Sequence, residues 1–153
     1  MNIVYISFGS NIGDREKAIE EALDLIDQNQ MKITKRSDIY ETEPYGYTDQ
    51  PVFLNGAVEV ETKLTCREVL EKLLNIEKEV GRVRKFKWGP RLIDLDIIFF
   101  NDEIYDEEDL KVPHTDMQNR DFVLKPLNEL CPDIIHPVLK KTIKELLEDL
   151  KMS

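Results

Sequence analysis

The largely apolar run from Ile3 to Phe8 reads as a strand, and the glycines and turn-forming residues of GSNIGD predict a loop after it. In REKAIEEALDLIDQN the period changes. Ala18, Ile19, Ala22, Leu25 and Ile26 recur at helical spacing, so one face is buried and the glutamates face water. A second strand is expected over Lys32 to Glu41. The segment TEPYGYTDQP, with two prolines and a glycine among polar residues, then reads as a long loop and a candidate lid before a third strand, Phe53 to Glu61. Thr65 and Glu68 have capping-box spacing, Val69, Leu70, Leu73 and Ile76 supply a buried helical stripe, and Gly81 marks its end. RLIDLDIIFF, short and rich in β-branched and aromatic residues, is the strongest strand, and its apolar residues are expected to be buried on both faces.

The resulting order, βαββαβ, predicts an α+β fold with a ferredoxin-like core, a mostly antiparallel sheet with helices packed on it. The last third adds a hairpin near Glu103 to Val112 and a helix around Arg120 to Leu130 that Pro126 should kink or delimit. A terminal helix is expected behind a second capping box, Thr142 and Glu145, with Ile143, Leu146, Leu147 and Leu150 as its docking stripe. A chain of 153 residues suits one domain, expected over residues 1–153. Its composition, 41% hydrophobic and 34% charged, argues against disorder, and no apolar run is long enough to span a membrane. With no basic leader, the chain is expected in the cytoplasm. Cys66 and Cys131 fit no metal spacing and read as buried or idle thiols.

A net charge of -10 opposes nonspecific binding to nucleic acid or anionic membranes, so a basic cluster stands out. GRVRKFKWGPR, Gly81 to Arg91, holds Arg82, Arg84, Lys85, Lys87 and Arg91 with no acidic residue. It leads directly into Asp94 and Asp96. Two residues apart on a strand, these carboxylates project from one face about 6 to 7 Å apart, where they repel each other unless a cation lies between them. Magnesium suits such a pair, since it typically takes one or two carboxylates together with substrate phosphates. A lone pair of strand aspartates more often binds neighbouring arginines, but here guanidinium forks and carboxylates together supply both halves of a metal-polyphosphate site. Asn55, costly in a strand unless satisfied, is either a paired strand asparagine or a reader of a flat heterocycle on which Phe53, Phe122 or Trp88 stacks. His114 and Arg120 are either loop residues or phosphate contacts.

WGPRLIDLDII, together with FGSNIGD, YETEP, QPVFLNGAV, GRVRK and VPHTDMQNRDFVLKPL in this order, resembles the 6-hydroxymethyl-7,8-dihydropterin pyrophosphokinases of folate biosynthesis from the first strand past Leu130. The resemblance implies transfer of pyrophosphate from ATP to the hydroxymethyl group of a reduced pterin, releasing AMP, with two Mg2+ ions bound by Asp94 and Asp96. It implies catalytic roles for Arg82, Arg91, Asp94 and Asp96. Thr42, Pro44, Tyr45, Phe53, Asn55, Trp88 and Phe122 would form the pterin site, and Glu77, Arg82, Arg84, Trp88, Arg91, Ile97, His114 and Arg120 the nucleotide site. Trp88 would sit on a loop that closes over the substrates. Three positions depart from the pattern: Phe53 replaces a tyrosine, Asp109 stands where an arginine is common, and Lys85 to Trp88 is one residue short.

The enzyme is expected to act as a monomer on ATP and the pterin, with no nucleic-acid or membrane partner. Nucleotidyl transfer is a rival, because it too uses paired strand aspartates, but it would release pyrophosphate rather than AMP. An RNA-binding module of this fold would need basic and aromatic strands, where this chain has aspartates. A regulatory ligand-binding domain would leave the basic segment without a role.

Overall fold

The computed structural model describes residues 1–10, 14–42, 52–81 and 92–152. Strand β1 (Asn2–Ser10) leads to α1 (Arg15–Gln28), β2 (Met31–Arg36), β3 (Tyr40–Thr42), β4 (Phe53–Thr62), α2 (Cys66–Val80) and β5 (Asp94–Phe100). A hairpin of β6 (Tyr105–Glu107) and β7 (Leu110–Val112), then α3 (Asp121–Leu130) and α4 (Ile143–Met152), complete it. The sheet order β2-β4-β1-β5, with antiparallel pairing throughout and β3 also on β4, is that of the expected ferredoxin-like core.

The alternation of each strand sorts its side chains between two apolar clusters. Val4, Ile6, Phe8, Leu54, Val58, Val60, Leu95 and Ile97 face α1 and α2, whereas Tyr5, Ala57, Ile98 and Phe99 face α3 and α4. As expected, the apolar residues of β5 are buried on both faces. An irregularity in its pairing with β1 puts Ile98 and Phe99 together in the second cluster and returns Phe100 to the first. Both capping boxes form: Thr65 and Glu68 bond reciprocally, and Glu145 N–H donates to Thr142 Oγ at 3.1 Å while Thr142 N–H donates to Glu145 Oε1 at 3.0 Å. Both cysteines are free and buried, and burial pushes each thiol up to about 12, so neither is a ready nucleophile.

Four expectations are corrected. The single second strand is two, because Ser37 interrupts it: its N–H donates to Ala57 O and its Oγ accepts from Ala57 N–H, each at 2.9 Å, so a side chain replaces a ladder carbonyl. Strand β1 runs on through Gly9 and Ser10, which the sequence assigned to a loop; both pair with β4. The strand read from Arg91 begins, among the described residues, at Asp94. Of the two alternatives for Pro126, it does not delimit α3: the helix continues through it, held by Val123, Leu124 and Leu127 in the second cluster, although the proline removes one intrahelical donor.

Candidate active site

Residues opposite one another in an antiparallel ladder share a face. On the face away from α1 and α2, Tyr40, Asn55, Gly9 and Asp94 lie side by side across β3, β4, β1 and β5, and the next row places Ala57, Ser7 and Asp96 together. Phe53 stands one row further out, opposite Thr42. Helices α3 and α4 pack on this face at the Tyr5, Ala57 and Phe99 end, with Phe122 among the residues packed against it. At a strand spacing of about 4.8 Å, Asn55 and Asp94 have backbones roughly 10 Å apart, and the glycine between them leaves a floor without a side chain. A Cβ on Gly9 would lie 2.7 Å from Asn55 Oδ1, so the bare floor is needed. Arg15, at the start of α1, donates to the carbonyl of Val52 at 2.5 Å and fixes the backbone leading into Phe53.

Around Asp96 the structure gathers His114, Asp116 and Arg120. Burial lowers the pKa of His114 while the Asp96 carboxylate pulls it upward, and Arg120 opposes its charge. Arg120 Nε lies 3.4 Å from Asp116 Oδ2, and its guanidinium stands 5.8 Å from the centre of the Phe122 ring. Asp96 is exposed and Asp94 half-buried. Among the described residues no cluster of three or more His, Cys, Asp or Glu could hold a metal ion by itself. Two carboxylates on one face of β5 nonetheless suit a hard cation that takes its remaining ligands from phosphates and water, so the donor set fits magnesium.

Two expected nucleotide residues, Glu77 and Ile97, lie elsewhere around β5. Ile97 points into the first cluster, opposite the aspartates. Glu77, on the last turns of α2, accepts the Leu95 N–H at 2.8 Å, and its own carbonyl accepts from Gly81 N–H at 2.9 Å. One residue thus ties the α2 terminus to the strand between the two aspartates. Asp109, where an arginine is common, pairs with Arg67 at 2.9 Å. Pro44, Tyr45, Arg82, Arg84, Trp88 and Arg91 fall outside the described residues, as does the Thr42 side chain. Sequence reading passed over Ser7, Gly9 and Tyr40, although the alternation of YISFGS and the position of Tyr40 before Thr42 put them in phase with the site.

Residues 5–132 match the family model of 7,8-dihydro-6-hydroxymethylpterin-pyrophosphokinase (HPPK). The chain belongs to the HPPK family. It is 52% identical over 134 residues to the Bacillus subtilis 2-amino-4-hydroxy-6-hydroxymethyldihydropteridine pyrophosphokinase, covering 87% of this chain and 80% of that one. To the enzyme of that name from Aquifex aeolicus it is 43% identical, covering 95% of this chain and 90% of that one. The Schizosaccharomyces pombe folic acid synthesis protein fol1 is also 43% identical, over 97% of this chain, but the chain spans only 20% of its length. In fold it is similar to a Plasmodium falciparum HPPK-DHPS structure, at a TM-score of 0.79 and 20% identity, covering 97% of this chain and 43% of that one. Membership in HPPK bears out an ATP-dependent pyrophosphokinase of folate synthesis.

Proposed function

We propose that the row Asn55, Gly9, Asp94 is the floor on which this chain joins its two substrates, with the pterin toward Asn55 and the phosphates of ATP toward Asp94 and Asp96. The observation that carries this reading is the placement of a buried carboxamide and a carboxylate pair on one sheet face with a bare glycine between them. Asn55 would hydrogen-bond the pterin edge with backbone groups of Thr42, Pro44 and Tyr45, while Phe53 and Phe122 stack on its ring. The hydroxymethyl oxygen attacks the β-phosphorus as its O–H proton is released to solvent, the bond from that phosphorus to the α–β bridging oxygen breaks, and AMP leaves with that oxygen.

Little covalent work falls to the protein, so the chain's contribution is positioning and charge. Asp94 and Asp96 would hold two magnesium ions, which when bound draw together and neutralise the phosphate oxygens. Arg82, Arg84 and Arg91 would take the phosphates as guanidinium forks, assisted by His114 and Arg120, and Trp88 would close over the substrates. With Ile97 and Glu77 behind and beside β5, the nucleotide would wrap the outer edge of that strand. The reading includes one pyrophosphokinase domain over residues 1–153, acting as a monomer in the cytoplasm. The net charge of -10 favours small-molecule substrates over nucleic acid or an anionic membrane surface. Among the described residues no helix is long and apolar enough to cross a membrane.

Phosphorus NMR of the chain with ATP, magnesium and 6-hydroxymethyl-7,8-dihydropterin tests the reading. AMP with the pterin pyrophosphate is expected. Free pyrophosphate with a nucleotidylated acceptor would point to the rival transfer, and binding without turnover to a regulatory domain.

A further inference from the structure

Helix α3 and strand β3 meet through one carboxylate. Glu129 Oε1 accepts the Tyr40 hydroxyl at 2.6 Å, and both Glu129 oxygens lie 3.1 Å from the Asp38 amide. Asp38 is in the break that separates β2 from β3, and Tyr40 is the first residue of a strand that spans three of the described residues. Among the described residues its ladder runs to Asn55, Leu54 and Phe53. The contact with Glu129 therefore anchors the start of a short edge strand. Hydrogen bonding to Glu129, with burial second, pushes the Tyr40 phenol up to about 12, so it remains a donor at neutral pH.

Seen from the helix, Glu129 follows Phe122 by seven residues. Two turns of α-helix return to the same face about 10.5 Å further on, so the carboxylate and the ring share one stripe of α3. Pro126 sits between them on that stripe and removes a helical hydrogen bond, which leaves the two halves less firmly joined. Apolar packing of Val123, Leu124 and Leu127 resists lifting the helix but constrains sliding or rolling less, since it is not directional. The directional constraint at the far end of the stripe is the pair of bonds at Glu129.

We infer that Glu129 and Tyr40 are positioning residues for the pterin: together they lock α3 to β3 and so set the separation between the ring of Phe122 and the Phe53 and Asn55 side of the site. This rests on the proposed assignment of Phe53, Asn55 and Phe122 to the pterin. Neither residue need touch a substrate, and of the groups around Asp96 Arg120 alone sits at the head of α3, over the Phe122 ring, while Asp96 and His114 lie on other segments. The effect should therefore fall mainly on the pterin.

Steady-state kinetics of Tyr40→Phe, Glu129→Ala and the double variant, with amide exchange of each, test this. The KM for the pterin should rise about 5- to 20-fold, the size expected for loss of a charge-assisted hydrogen bond, with the KM for ATP nearly unchanged. The double variant should be no worse than Glu129→Ala alone, because loss of the carboxylate already removes the bond from Tyr40. Amides of β3 and α3 should exchange faster in all three. Equal rises in both KM values, additive losses, or native pterin KM in every variant would overturn the inference while leaving the reaction intact. If the native chain binds no pterin, the proposed function fails and the inference falls with it.

Discussion

Replacing Gly9 by alanine adds one methyl group at the centre of the proposed floor. That carbon would lie 2.7 Å from Asn55 Oδ1, against a comfortable C···O separation of roughly 3.3 Å, so the carboxamide must retreat by about 0.6 Å. Asn55 is only 5% exposed and has little room to do so without turning its amide away from the open face. If that turn costs two neutral hydrogen bonds to the pterin edge, the loss is about 1 to 3 kcal/mol, or roughly 5- to 150-fold in affinity. The backbone does not oppose the change, since Gly9 lies in a regular strand outside the left-handed region. Alanine also narrows the unfolded ensemble, so stability should hold to within about 1 kcal/mol. The assay is fluorescence titration of the pterin in the presence of magnesium and a non-hydrolysable ATP analogue, with calorimetry of the analogue alone as the control. Weakened pterin binding with native nucleotide binding is expected. Native pterin affinity in a folded Gly9→Ala protein would refute the placement of the pterin beside Asn55.

Gly56→Ala makes the opposite test, since its methyl would lie 2.3 Å from Phe8 Cζ on the core face; urea denaturation should show a loss of about 1 to 3 kcal/mol. Glu77→Ala should speed exchange of the Leu95 amide and raise the KM for magnesium-ATP several-fold, whereas Glu77→Gln, which keeps an acceptor, should restore slow exchange. Acid sensitivity should trace in part to His136: burial lowers its pKa below 6.5, and its Nδ1 accepts from the amides of Val138 and Leu139, each at 3.1 Å. The unfolded chain takes a proton that the folded one resists, so this contribution is full above about pH 6.5 and declines as pH falls below it; His136→Asn should flatten that slope in urea titrations between about pH 5 and 7. Leu127→Ala, at a fully buried site between α3 and the sheet, should cost about 2 to 5 kcal/mol by the same assay.

The core was legible because period and punctuation agreed along most of the chain. RLIDLDIIFF is strand-like on every count, and the capping boxes at Thr65 and Thr142 name the helix starts that the structure shows. What the sequence hid are places where a side chain acts as backbone or packing overrides a local rule. Ser37 looks like any strand serine until its hydroxyl is seen taking the Ala57 amide, and Pro126 reads as a breaker until the apolar face on either side holds the helix together. The carboxylate pair was legible at the site because alternation alone puts Asp94 and Asp96 on one face. The neighbours that complete the row depend on register between strands distant in sequence, so Gly9 could not be placed between Asn55 and Asp94 without the sheet. Glu129 was hidden for the same reason, its partners lying 89 and 91 residues away.

The most direct test of the carboxylate pair as the centre of the reaction is AMP formation from ATP and the pterin at increasing magnesium, for the native chain and the Asp94→Asn, Asp96→Asn double variant. The native chain should turn over with saturating dependence on magnesium. The double variant should lose at least about a thousandfold in rate, consistent with removing the charge stabilisation of a phosphoryl-transfer site, while keeping its pterin affinity. Turnover within tenfold of native in the double variant would contradict the account at its centre.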